Sequence, residues 1–425
     1  MGMSLNIYQN TNGSCFHLLI MMFVYHTCRD NIIDWESYNI YIYIYVYIHY
    51  TNIANIRGHL AAIVKPVSHF MDDWMHVMLA SGVFNKHLIL MMEQFIADKV
   101  PFTFRMMYEY VGLWTWPKRI TSKPIRELLS DKHSASSLKA GHLKGHCSSM
   151  LSVYPVIAYF IERTLVQAGV AQEHCECFFL LADIMDMLHM TSRECISADH
   201  LHETITKYIT KFNELYGVEE KVPKFHALQH LPNSLKQFGF LLSCFVHERK
   251  HRMLKRYCND MQNTTAFERS VMSEIIAHQM QKLNSTETFR FEAGLINPMP
   301  ASPLLARFLM TELSLAPGSD IKCACESRFS RYETCSKGDV VLVRDNAVAH
   351  KFGAGQVWFH ASICDRAISL ISMWAQLSVS VTACTWQFSE NPVLCSTLDI
   401  LECVVWSRSG DIVTTLLPIT CRPGM

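Results

Sequence analysis

A short segment beyond the middle of the chain combines basic residues at helical spacing with one acidic residue. Residues 247–256 contain five Lys or Arg, two His and one Glu, although the whole chain balances 38 basic against 38 acidic residues. Arg249, Arg252 and Arg256 recur at spacings of three and four, which place them on one helix face. The candidate phosphate contacts of this segment are Arg249, Lys250, Arg252, Lys255 and Arg256. The same pattern also fits a solvated helix face on which Glu248 pairs with Arg252.

An acidic pair precedes an apolar helical pattern much earlier in the chain. Asp72 and Asp73 stand just before Trp74, with His76 in the first turn and Gly82 six residues after that histidine. An acidic residue at such a position caps the helix and interacts favourably with the helix dipole. A carboxylate is also the hard oxygen ligand that Mg²⁺ prefers. The pattern alone favours capping. A metal-ligand role for Asp73 would require a second carboxylate, which Glu248 of the distant basic segment could supply.

The order of these motifs resembles transposases of the CACTA (En/Spm-like) type. The shared features are an Asp-x-Met-His segment, a long helical stretch and a Glu-Arg helix rich in Lys and Arg, over roughly residues 65–285 and most strongly over 223–257. The resemblance implies an RNase H-like core with a helical insertion, in which Asp73 matches the second acid and Glu248 the third. Such acids hold two Mg²⁺ ions for phosphoryl chemistry on DNA. A nuclear location is implied in the same way.

The first acid of that family has no match in this chain. Asp30, Asp34 and Asp72 lie upstream of the motif, but none stands in a strand-Asp-Gly context. A site with one carboxylate fewer loses the charge and geometry that Mg²⁺ requires. We therefore expect a degenerate, transposable-element-derived protein that associates with nucleic acid without intact strand-transfer activity. The alternative is a non-enzymatic helical scaffold with a β-barrel protein-interaction module.

The periodicity of the sequence predicts an α+β protein with regions of different class. Residues 1–55 are a low-complexity N-terminus with a tyrosine and isoleucine alternation that has no defined inward face. Residues 56–290 show apolar spacings of three and four, which predict a mainly helical region. Prolines and serines predict a linker over residues 291–320, and short apolar runs between turn residues predict a small β-barrel or sandwich over residues 321–425.

The C-terminal region offers a weak second resemblance. Its opening, Lys337-Gly-Asp-Val-Val-Leu-Val and then Ala354-Gly-Gln-Val-Trp, is similar to the first strands of a bromo-adjacent homology domain, which implies a protein or chromatin partner. Its four tryptophans fit either a β-domain core or an aromatic groove for a peptide or methyl-lysine, with the core favoured. They are Trp358, Trp374, Trp386 and Trp406.

Composition excludes several classes of protein and of site. The formal net charge is zero, so nucleic-acid binding requires a local basic patch. No apolar run reaches the roughly 18 residues of a membrane span, so we expect no membrane partner. The sixteen cysteines lack paired Cys-x2–4-Cys spacing, which argues against zinc and favours reduced, intracellular thiols.

Overall fold

The described residues of the chain fall into two compact units. The computed structural model describes residues 71–191, 196–245, 258, 267–284, 293–316, 318–330, 333–344, 352–363, 366–418 and 421–422. Residues 73–245 and 286–425 belong to one compact unit, and residues 1–72 and 246–285 belong to another. In the second of these units the structure describes chiefly one helix, Phe267–Asn284.

The described helices range from six to nineteen residues in length. The helices are α1 (Trp74–Leu79), α2 (Val83–Ala97), α3 (Phe104–Gly112), α4 (Ser122–Glu127), α5 (Asp131–Ala140), α6 (Cys147–Ile161), α7 (Gln172–Met190), α8 (Ala198–Tyr216), α9 (Lys224–Phe238), α10 (Phe267–Asn284) and α11 (Pro303–Glu312). One turn of π-helix, Glu162–Val166, continues α6. None of the described helices is both long and apolar enough to cross a bilayer.

Local sequence signals explain where several helices begin. The hydroxyl of Thr103 accepts a hydrogen bond from the backbone of Met106, and Ser197 caps α8 in the same way. These caps satisfy N–H groups that have no partner within the helix. Gly82 joins α1 to α2 at a point where an added Cβ would lie 2.2 Å from the carbonyl oxygen of Val77. Only glycine fits that connection, because a side chain would collide with the backbone of α1.

A large apolar core holds helices α1 to α9 together. It includes Met75 of α1, Phe84 of α2, Phe178 of α7 and Phe225 of α9, all buried. Burial of this kind, at roughly 25 cal/mol per Å² of apolar surface, is the main favourable contribution to folding. The same core contains Ala383 from the β region, so sheet and helices share apolar packing within the unit.

The β region is dominated by a curled antiparallel sheet. Its strands are β2 (Met299–Pro300), β3 (Ile321–Ala324), β6 (Val340–Arg344), β7 (Phe352–Ile363), β8 (Arg366–Val379), β9 (Ala383–Ser396), β10 (Ile400–Cys403), β11 (Trp406–Ser409) and β12 (Ile412–Leu416). The order is β10-β6-β7-β8-β9-β12-β11, with β3 beside β7 and β2 beside β3. A smaller sheet pairs β4 (Glu326–Arg328) with β1 (Gly294–Ile296) and β5 (Thr334–Ser336). Register shifts interrupt both pairings of β8, and such bulges bend strands.

Polar contacts connect the helical part to this sheet. Thr115 and Trp406 form an antiparallel backbone bridge with hydrogen bonds of 2.7 and 3.1 Å. The backbone N–H of Lys118 donates to Asp339 Oδ1 at 2.8 Å, and Arg119 pairs with Glu402 at 3.1 Å. The two regions are thus hydrogen-bonded to each other as well as joined by the shared core.

The predicted α+β class is confirmed in this coarse form, while an RNase H-like core stays a prediction. Residues 1–55 lie outside the described residues. The stretch predicted as a linker, 291–320, contains β1, β2 and α11. Ser302 caps α11 by accepting from Leu305, and Pro303 opens its first turn, where a missing N–H costs nothing. The composition of that stretch therefore reflects a helix start as much as a connection.

Candidate functional site

Asp73 lies at the N-cap of α1, and its carboxylate is held by the backbone. Its own backbone is extended, with φ −82° and ψ 108°. The Oδ1 atom accepts hydrogen bonds from Met75 N at 3.1 Å and from Cys244 N at 3.0 Å. The first bond is the cap that its position before an apolar helix predicts. The second joins α1 to a segment 171 residues further along the chain.

That distant segment is fixed beside α1 by three contacts. Leu242 forms a parallel bridge with Asp73, and the N–H of Trp74 donates to the carbonyl of Leu242 at 3.2 Å. The rings of Trp74 and Phe245 meet edge to face, with centroids 5.8 Å apart. Backbone and ring contacts together position Cys244 against the start of α1.

Three side chains with different ligand atoms lie close together at the start of α1. His76 lies one turn after Asp73, and its Nδ1 contacts Asp73 Oδ2. A carboxylate oxygen of Asp73, a ring nitrogen of His76 and the Sγ of Cys244 all lie within 4.8 Å of one another. The side chain of His76 is 34% exposed and that of Asp73 11%. The group, here called the Asp73 cluster, is half-buried and partly accessible to solvent.

This donor set does not fit the magnesium site that the transposase resemblance implies. Mg²⁺ takes oxygen ligands in near-octahedral geometry. Among the described residues, the partners of Asp73 supply nitrogen and sulfur, and its Oδ1 already accepts two backbone hydrogen bonds. One carboxylate oxygen with two softer neighbours matches a borderline cation such as Zn²⁺ better.

The remaining residues of the predicted site lie outside the described residues. These are Glu248, Arg249, Lys250, Arg252, Lys255 and Arg256. The structure describes Asp73 alone from the predicted catalytic pair, so convergence of Asp73 with Glu248 stays a prediction. The predicted phosphate contacts likewise stay predictions.

Sequence reasoning missed Cys244 and gave no chemical role to His76. The Asp73 and His76 pair carries a local signal, because residues three apart lie on the same face of a helix. Cys244 has no such signal, since it belongs to the cluster only through the fold. A lone cysteine among sixteen offers no spacing pattern from which to predict a ligand.

A second polar constellation, here called the Cys335 network, lies in the β region between β5 of the smaller sheet and strands β7 and β8 of the curled sheet. Cys335 Sγ lies 3.5 Å from His360 Nε2, and His360 Nδ1 lies 2.8 Å from the hydroxyl of Ser369. That hydroxyl is 2.8 Å from Thr397 Oγ1. All four residues are fully buried. Hydrogen bonds from Cys403 and His360 lower the pKa of the Cys335 thiol, although burial acts in the opposite direction.

A buried ion pair joins α7 to the segment that follows the last strand. Asp186 of α7 accepts from the hydroxyl of Tyr154 at 2.5 Å and pairs with Arg422. Burial raises the pKa of Asp186, and Arg422 opposes that shift. A cavity of about 190 Å³ adjoins the group and is lined also by Cys403 and Leu416. It is mostly apolar, which suits packing between the regions rather than a reaction.

Histidine and tryptophan side chains singled out by the sequence have mainly local contacts. His226 and His230 lie on one exposed face of α9, with their Nε2 atoms 3.0 Å apart. The Asp73 cluster is the set of three metal-ligand side chains that the described residues bring together, and neither histidine belongs to it. Three of the four C-terminal tryptophans pack in the β-region core, and Trp358 is 38% exposed.

Comparisons with known proteins found no match to this chain among family models, curated proteins or solved structures. Residues and their geometry are therefore the basis on which a function can be proposed.

Proposed function

We propose that this chain is a transposable-element-derived, nucleic-acid-associated protein that binds DNA without cleaving it. The observation that carries the proposal is the charge of residues 247–256, where five basic residues and one acidic residue occur in a chain with no net charge. Lys and Arg neutralise phosphates and release counterions, which supplies most of the free energy of non-specific DNA binding. A neutral chain has no global attraction for DNA, so this segment would have to provide it.

The geometry around Asp73 supports the absence of cleavage. Two-metal phosphoryl chemistry needs carboxylates whose oxygens face hard cations. Asp73 instead uses Oδ1 to cap α1 and to hold Cys244, and its Oδ2 faces His76. The sequence also lacks a match for the first acid. A nuclear location and a chromatin partner for the β region belong to the same proposal.

Salt dependence tests the proposal against the helical-scaffold alternative. Fluorescence anisotropy of a labelled duplex with the full chain should show log affinity falling linearly with log salt. Replacing Arg249, Arg252 and Arg256 with Gln should make that slope shallower by about three units. The matched control replaces Lys123, Lys207 and Lys322, which are exposed lysines elsewhere on the chain, and should leave the slope unchanged.

Two results would contradict the proposal. One is absence of measurable duplex binding at about 50 mM salt, where electrostatic binding is strong. The other is cleavage of the duplex in Mg²⁺ or Mn²⁺ that disappears in Asp73→Asn. Asparagine can still accept the capping hydrogen bonds, so this variant separates lost chemistry from lost folding.

A further inference from the structure

We infer that Asp73, His76 and Cys244 form a binding site for a borderline divalent cation, with Zn²⁺ as the best fit. This inference is independent of the proposed DNA binding, because it uses none of the basic residues 247–256. The three ligand atoms already lie within 4.8 Å of one another. A tetrahedral zinc site with bonds of about 2.0–2.3 Å places its ligand atoms roughly 3.3–3.8 Å apart. Side-chain adjustments of about 1 Å therefore complete the site.

The carboxylate of Asp73 is oriented for this role. Its Oδ1 is fixed by the backbone N–H groups of Met75 and Cys244, which leaves Oδ2 directed toward His76. Hydrogen bonds to the second oxygen of a ligating carboxylate are a common feature of metal sites, since they set its direction. The capping role and the ligand role use different atoms of one side chain and are compatible.

The remaining ligands come from two segments that are joined by backbone and ring contacts. His76 is held on α1, and Cys244 is held by the bridge at Leu242 and the ring contact of Phe245 with Trp74. Coordination requires the thiolate of Cys244 and an unprotonated Nδ1 on His76, so binding releases the thiol proton to solvent. Three protein ligands leave the fourth tetrahedral position for water or an external ligand, the arrangement found in open zinc sites.

Cobalt(II) provides the direct probe, because it replaces zinc and is coloured. Titration of the full chain with Co²⁺ should produce a sulfur-to-cobalt charge-transfer band together with visible bands of a four-coordinate ion, and Zn²⁺ should displace both. The matched control is Cys325→Ser, which removes an exposed cysteine of the β region and should leave the spectrum unchanged. In Cys244→Ser the charge-transfer band should disappear.

Affinity measured by calorimetry with Zn²⁺ completes the test. His76→Ala and Asp73→Asn should each weaken binding by about 10- to 100-fold or more. Asp73→Asn keeps an acceptor for Met75 and Cys244, so its circular dichroism should match that of the original chain. His230→Ala, which breaks the exposed histidine pair, should bind Zn²⁺ normally. The inference is overturned if Zn²⁺ shows no saturable binding, or if the cobalt spectrum survives in Cys244→Ser.

Discussion

The Asp73 cluster and the Cys335 network contain similar chemical groups in opposite environments. Each brings a histidine and a cysteine together with an oxygen-bearing side chain. In the network, both nitrogens of His360 contact neighbours, and the four residues are fully buried. In the cluster, His76 is one-third exposed and all three residues are only partly buried.

The difference shows that residue type alone does not identify a binding site. A closed network in which each polar atom has a protein partner stabilises one arrangement of the sheet, since any change leaves a buried group unsatisfied. A partly exposed cluster of ligand atoms can exchange the contact between His76 and Asp73 for bonds to a cation. We therefore expect substitutions to affect stability mainly in closed positions and ligand binding mainly in the cluster.

The largest expected effect is the acid sensitivity of His87, a third histidine that is fully buried in the helical core. Burial, with a smaller contribution from His174, lowers the pKa of His87 from 6.5 to about 3. The unfolded chain takes up this proton near pH 6.5 and the folded chain only near pH 3. The neutral, buried His87 therefore makes its full contribution to stability above pH 6.5. As the pH falls below that value, the free energy of unfolding decreases, by about 4 kcal/mol at pH 3.5.

Urea unfolding at several pH values tests this expectation, with His87→Gln as the comparison. Glutamine stays neutral and can keep a hydrogen bond to the hydroxyl of Tyr208, which lies 3.1 Å from His87 Nδ1. The free energy of unfolding should fall less steeply with acid in the variant. Equal slopes in the two proteins would show that His87 is accessible to protons in the folded state.

A matched pair of substitutions compares the two constellations directly. His360→Ala leaves a cavity and takes a partner from Ser369, so it should lower the free energy of unfolding by about 2–3 kcal/mol. His76→Ala, at a partly exposed position, should cost less than about 1 kcal/mol in the presence of a chelator. Urea titrations monitored by circular dichroism provide both values. Similar costs at the two positions would contradict the distinction between closed and open groups.

The smallest expected effect is a change in thiol reactivity. Zn²⁺ should slow alkylation of Cys244 by about tenfold or more, because coordination occupies the thiolate that reacts. It should leave the exposed Cys325 and the buried Cys335 unchanged. Mass spectrometry of peptides after timed iodoacetamide treatment measures the three rates together. Protection of Cys335 instead of Cys244 would assign the metal to the closed network.

The sequence predicted the general architecture because helices and strands carry different local periods. The switch from apolar spacings of three and four to short β-rich runs was sufficient to predict an α+β chain. The position of Asp73 before an apolar helix indicated a cap, which the structure describes. Gly82 belonged to the motif on which the transposase resemblance depends, and its close approach to Val77 gives it a steric reason that needs no catalytic role.

The parts that escaped prediction depend on tertiary contacts. Cys244 reaches Asp73 across 171 residues, so no spacing rule could connect them. The Cys335 network joins residues of β5, β7 and β8 with Thr397 of a single 3-10 turn, whereas the sequence was searched only for paired cysteine motifs. In the predicted linker, the Ser302 and Pro303 signal for a helix start was present but was outweighed by the overall proline and serine content.

Zinc-edge X-ray absorption of the full chain, loaded with one equivalent of Zn²⁺, tests most directly whether the open cluster is the metal site. The Asp73 cluster predicts one sulfur neighbour at about 2.3 Å and nitrogen or oxygen neighbours at about 2.0–2.1 Å. The sulfur neighbour should disappear in Cys244→Ser and remain in Cys335→Ser. Two results would contradict this assignment of the metal. One is two sulfur neighbours that are lost on substitution of Cys335 or Cys403, and the other is the absence of any sulfur neighbour in the original chain.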